Sequence, residues 1–521
     1  MSESSTIAAI STPPGVGGIA VVRVSGPRAI EIVGKAWRGV NLEETPSHSA
    51  HLGKYFTIGG QLLDEAVATV FRAPTSFTGE NVVEISVHGS SFIQRELLAD
   101  LIERGARIAN PGEFTQRAFL NGKMDLAQAE GVADLIASSS KAAHDMAINQ
   151  TRGTFSKEFN LLRDKLIEFA SLIELELDFS EEEVEFADRV KLVTLCQEIL
   201  GKIDSLIASY NRGAVLKNGV PVVIAGIPNV GKSSLLNNIL GDEKAIVTDV
   251  AGTTRDTIED IIEINGILFR FIDTAGLRES EDKVERLGIE RARQALEKAF
   301  AVIWIFDPTQ PLPPQWDNFL KFKETNPDKP ILILQSKADI EVNQDLNLEN
   351  IGRDKVNQDI NSESISSNGI KEDIKLGNIG RDEVNQDINS ECIGSNGINH
   401  DINSESTDRE YEIHNISTDI IQFSSKTKQG LETIIHRLTS LVSGNINPSN
   451  DILVSNVRHL EALKKASQSL SRALSELSSN LSGDLIAQDI REAISHLSLI
   501  TGSISSTTLL HSIFSRFCIG K

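Results

Sequence analysis

The chain has 521 residues, 40% of them hydrophobic and 24% charged, which is enough for about three soluble domains with cores of their own. A net charge of −22 argues against a generally basic nucleic-acid binder. Half of that charge is local, because Ile340–Glu412 holds 17 acidic and 6 basic residues and so carries −11. Three widely spaced cysteines, Cys196, Cys392 and Cys518, make neither a disulfide framework nor a zinc site and suit a reducing compartment. Met1–Ile10 has no basic start and no apolar stretch of the signal-peptide kind. No run approaches the ~18 apolar residues of a membrane span, so the reading is cytoplasmic, with no membrane contact.

In chain order, Ile19–Val24, Ala66–Phe71 and Val82–Val87 read as strands bounded by Gly, Pro or Ser. Phe92–Arg104 reads as a helix, and together these predict a small α+β domain. From about Lys123 to Gly213 the apolar period becomes 3.6, as at Leu162, Leu166, Phe169, Ile173 and Leu177. No breaker interrupts Gly153–Phe179, so long helices are expected. Val220–Gly226 (VPVVIAG) has the nearly continuous apolar character of a buried parallel strand. Leu268–Ile272, Ala301–Phe306, Ile331–Leu334 and Ile420–Phe423 follow as further strands alternating with helical stretches. The tail from about Asn456 returns to a helical pattern. The expected class is multidomain α/β: an N-terminal α+β domain (1–120), a discontinuous helical domain (121–217 and 447–521) and an inserted Ras-like P-loop domain (218–446) with a parallel sheet flanked by helices.

Within the inserted domain, residues 341–412 change character. Ile351–Ile370 recurs almost unchanged as Ile379–Ile398, and Asn, Asp, Ser, Gly and Ile dominate. Stacked repeats could have such a period, but two copies with few large apolar residues bury little. The favoured reading is a duplicated, disordered insertion. Deleting Asn343–Asp408 should therefore leave guanine-nucleotide affinity nearly unchanged, as titration with a fluorescent GDP analogue would show.

Gly226-Ile-Pro-Asn-Val-Gly-Lys-Ser233 matches G-x-x-x-x-G-K-[ST] directly after a strand and before a helix. Its glycines let backbone N–H groups curl around phosphates, Lys232 reaches the β/γ oxygens, and Ser233 binds Mg²⁺. Asn229, Val230, Gly231 and Ser234 complete the loop. In Gly252-Thr-Thr-Arg-Asp256, Thr254 is the switch residue that would finish the magnesium shell. Phe271-Ile-Asp-Thr-Ala-Gly276 ends a strand with Asp-x-x-Gly: Asp273 would hold magnesium through water and the Gly276 N–H would sense the γ-phosphate, with Thr274 and Ala275 in the same nucleotide loop. Ser336-Lys-Ala-Asp339 supplies a carboxylate that can accept from guanine N1–H and N2–H, a pattern adenine lacks. Lys337 belongs to the same loop, and Ser336 replaces the usual Asn, which is expected to weaken loop support without changing base preference. Ser424, Ser425 and Lys426 would close over the base. This order of elements is that of a GTPase. Arg255 is the nearest candidate for an arginine finger and is equally well a surface switch residue.

Separated blocks carry a closer resemblance: Thr12–Gly18 with Arg23, Ser76–Glu80, Pro111–Leu120, Lys123–Glu130, Ile246–Asp256 and the terminal Phe517-Cys-Ile-Gly-Lys521. Apart from the insertion, the whole chain resembles the MnmE (TrmE) family of tRNA-modification GTPases. The resemblance implies a homodimer whose N-terminal domain binds formyl- or methylene-tetrahydrofolate through Arg23, Glu80, Lys123 and Lys521. It also implies activation by K⁺ held by Asn229, Thr248, Val250 and Thr253, with Asp249 and Ala251 in the same switch. Glu285 matches the family's water-positioning glutamate, which with Lys232 and Thr254 makes the expected catalytic set. The implied partner is a flavin-dependent MnmG-type protein in a heterotetramer acting on carbon 5 of the wobble uridine of tRNA. Cys518 matches a family cysteine and is more simply a buried thiol. The rival readings are a ribosome-assembly GTPase of the Era or Der kind and a nucleotide-binding scaffold with degenerate hydrolysis.

Overall fold

The computed structural model describes residues 5–178, 189–241, 245–247, 259–273, 295–340, 420–443, 452–479, 483–504, 507–515, 517 and 520. The repeat insertion therefore lies outside the described residues. Contacts divide the chain into two units, Met1–Gly219 with Gly266–Leu268 and Asn445–Lys521, and Val220–Asn265 with Phe269–Gly444.

The first unit begins with a seven-stranded sheet. Its strands are β1 (Ile7–Ile10), β2 (Ile19–Ser25), β3 (Trp37–Arg38), β4 (Ser49–Phe56), β5 (Leu62–Phe71), β6 (Val82–His88) and β7 (Arg107–Ile108), in the order β3-β4-β5-β6-β2-β1-β7. β2 is antiparallel to β6, with Val24 opposite Val83, while β7 runs parallel to β1. Alternate residues of β5 (Asp64, Ala66, Ala68, Val70) are buried, the period-2 pattern of a sheet with one covered face. That cover is α1 (Ala29–Ala36) and α2 (Ser91–Glu103), whose Ile32, Val33, Leu97 and Leu101 join the strand side chains in one core.

Chain then turns helical through α3 (Glu113–Leu120), α4 (Leu126–Ala137), α5 (Lys141–Thr151), α6 (Thr154–Asp178) and α7 (Arg189–Asn218). The start of α4 is written into Lys123–Glu130: Asp125 accepts from the Gln128 N–H at 2.8 Å and Gln128 Oε1 from the Asp125 N–H at 2.9 Å, a capping box. After the second unit, α11 (Val457–Ser478), α12 (Gly483–Thr501) and α13 (Thr507–Phe514) complete the helices of the first. Leu166, Phe169, Ile199, Ile203, Leu463, Leu470, Ile490 and Leu497 share one core drawn from α6, α7, α11 and α12. Cys196 is buried in it, and burial pushes its thiol up to about 11, so it is an inert packing group.

Gly112, at the start of α3, has φ of +68°, and a Cβ there would stand 2.5 Å from the Phe514 carbonyl oxygen. Gly112→Ala should therefore cost about 1–3 kcal/mol, read as a lower melting temperature with faster proteolysis near Phe514.

The second unit is a seven-stranded sheet of β8 (Val220–Gly226), β9 (Ala245–Val247), β10 (Glu259–Ile264), β11 (Ile267–Asp273), β12 (Ala301–Phe306), β13 (Ile331–Gln335) and β14 (Ile421–Gln422). Their order is β14-β13-β12-β8-β11-β10-β9, with β8 parallel to both β11 and β12 and β13 parallel to β12 and β14. Asn265 and Gly266 both have positive φ, 52° and 81°, the backbone of a two-residue hairpin turn between β10 and β11. Helices α8 (Lys232–Leu240), α9 (Leu312–Thr325) and α10 (Leu431–Ser443) connect or follow the strands. All six residues of β12 are buried, as a central parallel strand requires.

Candidate functional site

In an open parallel sheet the strand carboxyl ends make the ligand crevice, and the predicted nucleotide residues that are described lie there. The loop from β8 to α8 needs unusual backbone: φ is +146° at Gly226, +60° at Asn229 and +104° at Gly231. A Cβ at Gly226 would be 2.6 Å from the Ile305 carbonyl oxygen, so only glycine lets the loop leave the sheet there. The start of α8 carries no side-chain cap, because Gly231 is its N-cap. The helix dipole at that end favours an anion, which fits a nucleotide phosphate. Lys232 is buried, with Nζ donating to the carbonyls of Gly226 (3.1 Å) and Ile227 (2.9 Å). Ser233 and Ser234 are exposed on the first turn of α8, and Val230 is buried.

The loop expected to read the base, Ser336–Asp339, follows β13. Ser336 is buried, its N–H and hydroxyl donating to the Phe306 carbonyl at 2.8 and 3.0 Å. The serine thus ties β13 to the end of β12, the support expected to be weakened by loss of the usual Asn. Lys337 has φ of +57° and pairs with Asp307 at 2.6 Å. Asp339 Oδ1 accepts from the buried Ser424 hydroxyl at 2.7 Å, and Lys426 Nζ lies 3.6 Å from Oδ2. The Ser424 hydroxyl is the main influence holding the Asp339 carboxyl below its ordinary value, which keeps it a hydrogen-bond acceptor. Asn238 of α8 donates to the Ser425 carbonyl at 3.1 Å, joining phosphate helix and base loop.

Asp273 closes β11 opposite Ile224 of β8, one sheet position from the phosphate loop. Thr248, Asp249, Val250, Ala251, Gly252, Thr253, Thr254, Thr274, Ala275, Gly276 and Glu285 lie outside the described residues, as do Arg255, Cys518 and Lys521.

In the first unit, Arg23 sits with its guanidinium 5.3 Å from the Phe77 ring centroid and 5.7 Å from that of Phe114, and pairs with Glu84 at 2.7 Å. Glu80 accepts from Ser25, two residues along β2, at 2.8 Å and from Arg117 at 3.0 Å. Lys123 donates to the Pro74 carbonyl at 3.0 Å and runs beside Gly79. Arg23, Glu80 and Lys123 therefore converge on the loop before β6, and the Gly520 carbonyl accepts from Ser11 at 3.1 Å at the end of β1. A guanidinium within about 6 Å of two ring centroids is a cation–π arrangement.

Residues missed from the sequence include Glu113, which links Arg107 and Arg117, and Asp307 at the end of β12. For Asp307 a signal existed: an acid directly after a fully apolar strand, at the carboxyl edge of an open sheet.

A family profile described as the TrmE N-terminus matches residues 6–123, and one described as the MnmE helical domain matches residues 126–518. The tRNA modification GTPase MnmE of Cytophaga hutchinsonii is 43% identical over all of this chain and 98% of its own length. That of Christiangramia forsetii is 42% identical over the full length of both. A solved structure of Aquifex aeolicus Era overlaps 48% of this chain and 65% of its own at 21% identity, with a TM-score of 0.25, and adds nothing to the assignment. Full-length relatives above 40% identity, with both profiles in chain order, place the chain in the MnmE (TrmE) family of tRNA modification GTPases.

Proposed function

We propose that this chain hydrolyses GTP under K⁺ activation. With a flavin-dependent MnmG-type partner it adds a carboxymethylaminomethyl or aminomethyl group to carbon 5 of the wobble uridine (U34) of tRNA. The observation that carries the nucleotide part is the uncapped start of α8 beside Ser336–Asp339 and Ser424–Lys426. Phosphate donors follow β8 and a guanine acceptor follows β13, carboxyl ends of one sheet with β12 between them. Ser233 and Thr254 would hold Mg²⁺, which when bound neutralises charge on the β- and γ-phosphates. Asn229, Thr248, Val250 and Thr253 would hold K⁺, which supplies the charge an arginine finger supplies elsewhere. Lys232 holds phosphate oxygens, Thr254 orders the switch and Glu285 orients the attacking water.

Domain boundaries follow at 1–120, 121–217, 218–446 and 447–521. Arg23, Glu80, Lys123 and Lys521 bind the tetrahydrofolate. Val16, Ile19 and Phe92 expose apolar side chains in the N-terminal domain, which supports a homodimer and, with two MnmG-type chains, a heterotetramer. No helix among the described residues is long and apolar enough to cross a membrane, and we place the chain in the cytoplasm.

Steady-state GTP hydrolysis in potassium against sodium tests this reading. Potassium should raise turnover by about a hundredfold or more, the scale of gaining one fixed positive group at the transition state. Asn229→Ala should remove that gain while leaving the sodium rate in place. Equal rates in both salts would overturn potassium activation. GTP binding with no turnover in either salt would favour the scaffold reading.

A further inference from the structure

Asp307 is fully buried at the end of β12, outside the residues assigned to guanine above. Its backbone is fixed by Gln315 of α9. That side chain, itself buried, accepts from the Asp307 N–H at 2.9 Å and donates to the Asp307 carbonyl at 2.9 Å. Its carboxylate is fixed as well. Oδ1 accepts from the Thr309 N–H at 2.9 Å and the Thr309 hydroxyl at 2.6 Å, and Oδ2 accepts from Gln310 Nε2 at 3.0 Å. The remaining donor is Lys337 Nζ, 2.6 Å from Oδ2 and 3.0 Å from Thr309 Oγ1. Burial pushes the carboxyl up, and the bonds from Lys337 and Thr309 outweigh it, so the group stays ionised.

The direction of constraint follows from this inventory. Asp307 has nowhere to move, whereas a lysine on its own loses more rotamer freedom on fixing than almost any other side chain. Lys337 also has a left-handed backbone, which a residue with a Cβ keeps only where its surroundings hold it. Asp339 is two residues further along the same turn.

We infer that Asp307 is a positioning residue for guanine: its ion pair with Lys337 fixes the Ser336–Asp339 turn and so the direction in which Asp339 meets the N1–H and N2–H edge. The inference rests on the proposed guanine-nucleotide function. An Asp339 aimed this way gains from the exocyclic amine that inosine lacks, so the ratio of GDP to IDP affinity reports the aim.

The test is titration of the full chain with GDP and IDP, with melting temperatures alongside. Asp307→Asn should weaken GDP binding about tenfold, the scale of a hydrogen bond to a charged group, and lower the GDP/IDP ratio. Thr309→Val, at an exposed position and with the Thr309 N–H bond to Asp307 kept, should move the ratio the same way by a smaller factor. In a Lys337→Met background, Asp307→Asn should cause no further loss. Losses that multiply in the double variant would overturn the inference, as would an unchanged GDP/IDP ratio in Asp307→Asn. Should Asp307→Asn not fold, an unchanged ratio in Thr309→Val overturns it. A parent chain that binds GDP no better than ADP refutes the guanine reading itself. A parent that discriminates, with variants that discriminate equally, refutes only the role of Asp307.

Discussion

Lys232→Ala is expected to lower GTP turnover by about a hundredfold or more, the loss typical of removing one fixed charge from a transition state. The lysine is buried at the start of an uncapped helix, and its Nζ is held by two loop carbonyls, those of Gly226 and Ile227. It is therefore placed before any phosphate arrives, so little reorganisation accompanies the reaction. Alanine leaves the loop backbone intact, because the bends at Gly226, Asn229 and Gly231 do not depend on the lysine. The melting temperature should accordingly stay close to that of the parent. Lys232→Arg should rescue poorly, since a planar fork does not fill the place of a compact ammonium between two carbonyls. Single-turnover release of phosphate in saturating potassium measures the chemical step. A variant within about threefold of the parent would place the phosphate charge elsewhere, since a preorganised charge is worth far more.

The features legible in the sequence were those with a local signature. VPVVIAG read as a buried strand because parallel strands covered on both faces carry unbroken apolar runs, AVIWIF read as a further strand, and both are strands in the structure. The uninterrupted 3.6 period gave α6 as one helix from Thr154 to Asp178. The phosphate loop was legible because its glycines, lysine and serine fall within eight residues. β4 was not, since SAHLGKYF alternates poorly and includes Gly53, which is there because the Trp37 ring lies where a Cβ would be, at 2.4 Å. β1, of four residues, owes its strand geometry in part to β7, a pairing partner distant in sequence. Asp307 escaped notice because Lys337, the partner that gives it meaning, is 30 residues away. The blocks that carried the family resemblance also mix roles that sequence cannot separate. In Lys123–Glu130, Asp125 and Gln128 cap a helix, whereas Glu130 reaches 328 residues along the chain to Arg458.

That last contact carries the largest expected effect on stability. Glu130 of α4 pairs with Arg458 at 2.7 Å and with the ring of His459 at 2.8 Å, all three drawn in from solvent. Arg458 also donates to the Ile500 carbonyl at 3.0 Å and to that of Leu499, binding the end of α12 into the cluster. Asp134, one turn along α4, pairs with Lys217 at 2.7 Å. Glu130→Ala should destabilise the helical core by about 3–5 kcal/mol, the cost of leaving the partly buried Arg458 and the buried His459 without their acidic partner. The exposed pair of Glu31 with Arg28 and Lys35 has distances of 3.0 and 2.6 Å, so Glu31→Ala serves as the control and should leave the urea midpoint nearly where it was. Contact length is the same in both clusters, and burial decides the outcome. Acid should weaken the buried cluster from two sides. Burial is the main influence on His459 and drives it below its ordinary 6.5, so as pH falls past that value the unfolded chain takes up a proton the folded chain resists. Burial alone would raise Glu130, but His459 and Arg458 outweigh it and hold the carboxyl below its ordinary 4.5. The stability it contributes is present above that value and is lost as pH falls below it. Urea midpoints should therefore fall between about pH 8 and about pH 5, with the fall smaller in His459→Asn, whose side chain takes up no proton in either state. Equal slopes in parent and variant would show that His459 is not the group responsible, whatever the size of the Glu130→Ala loss.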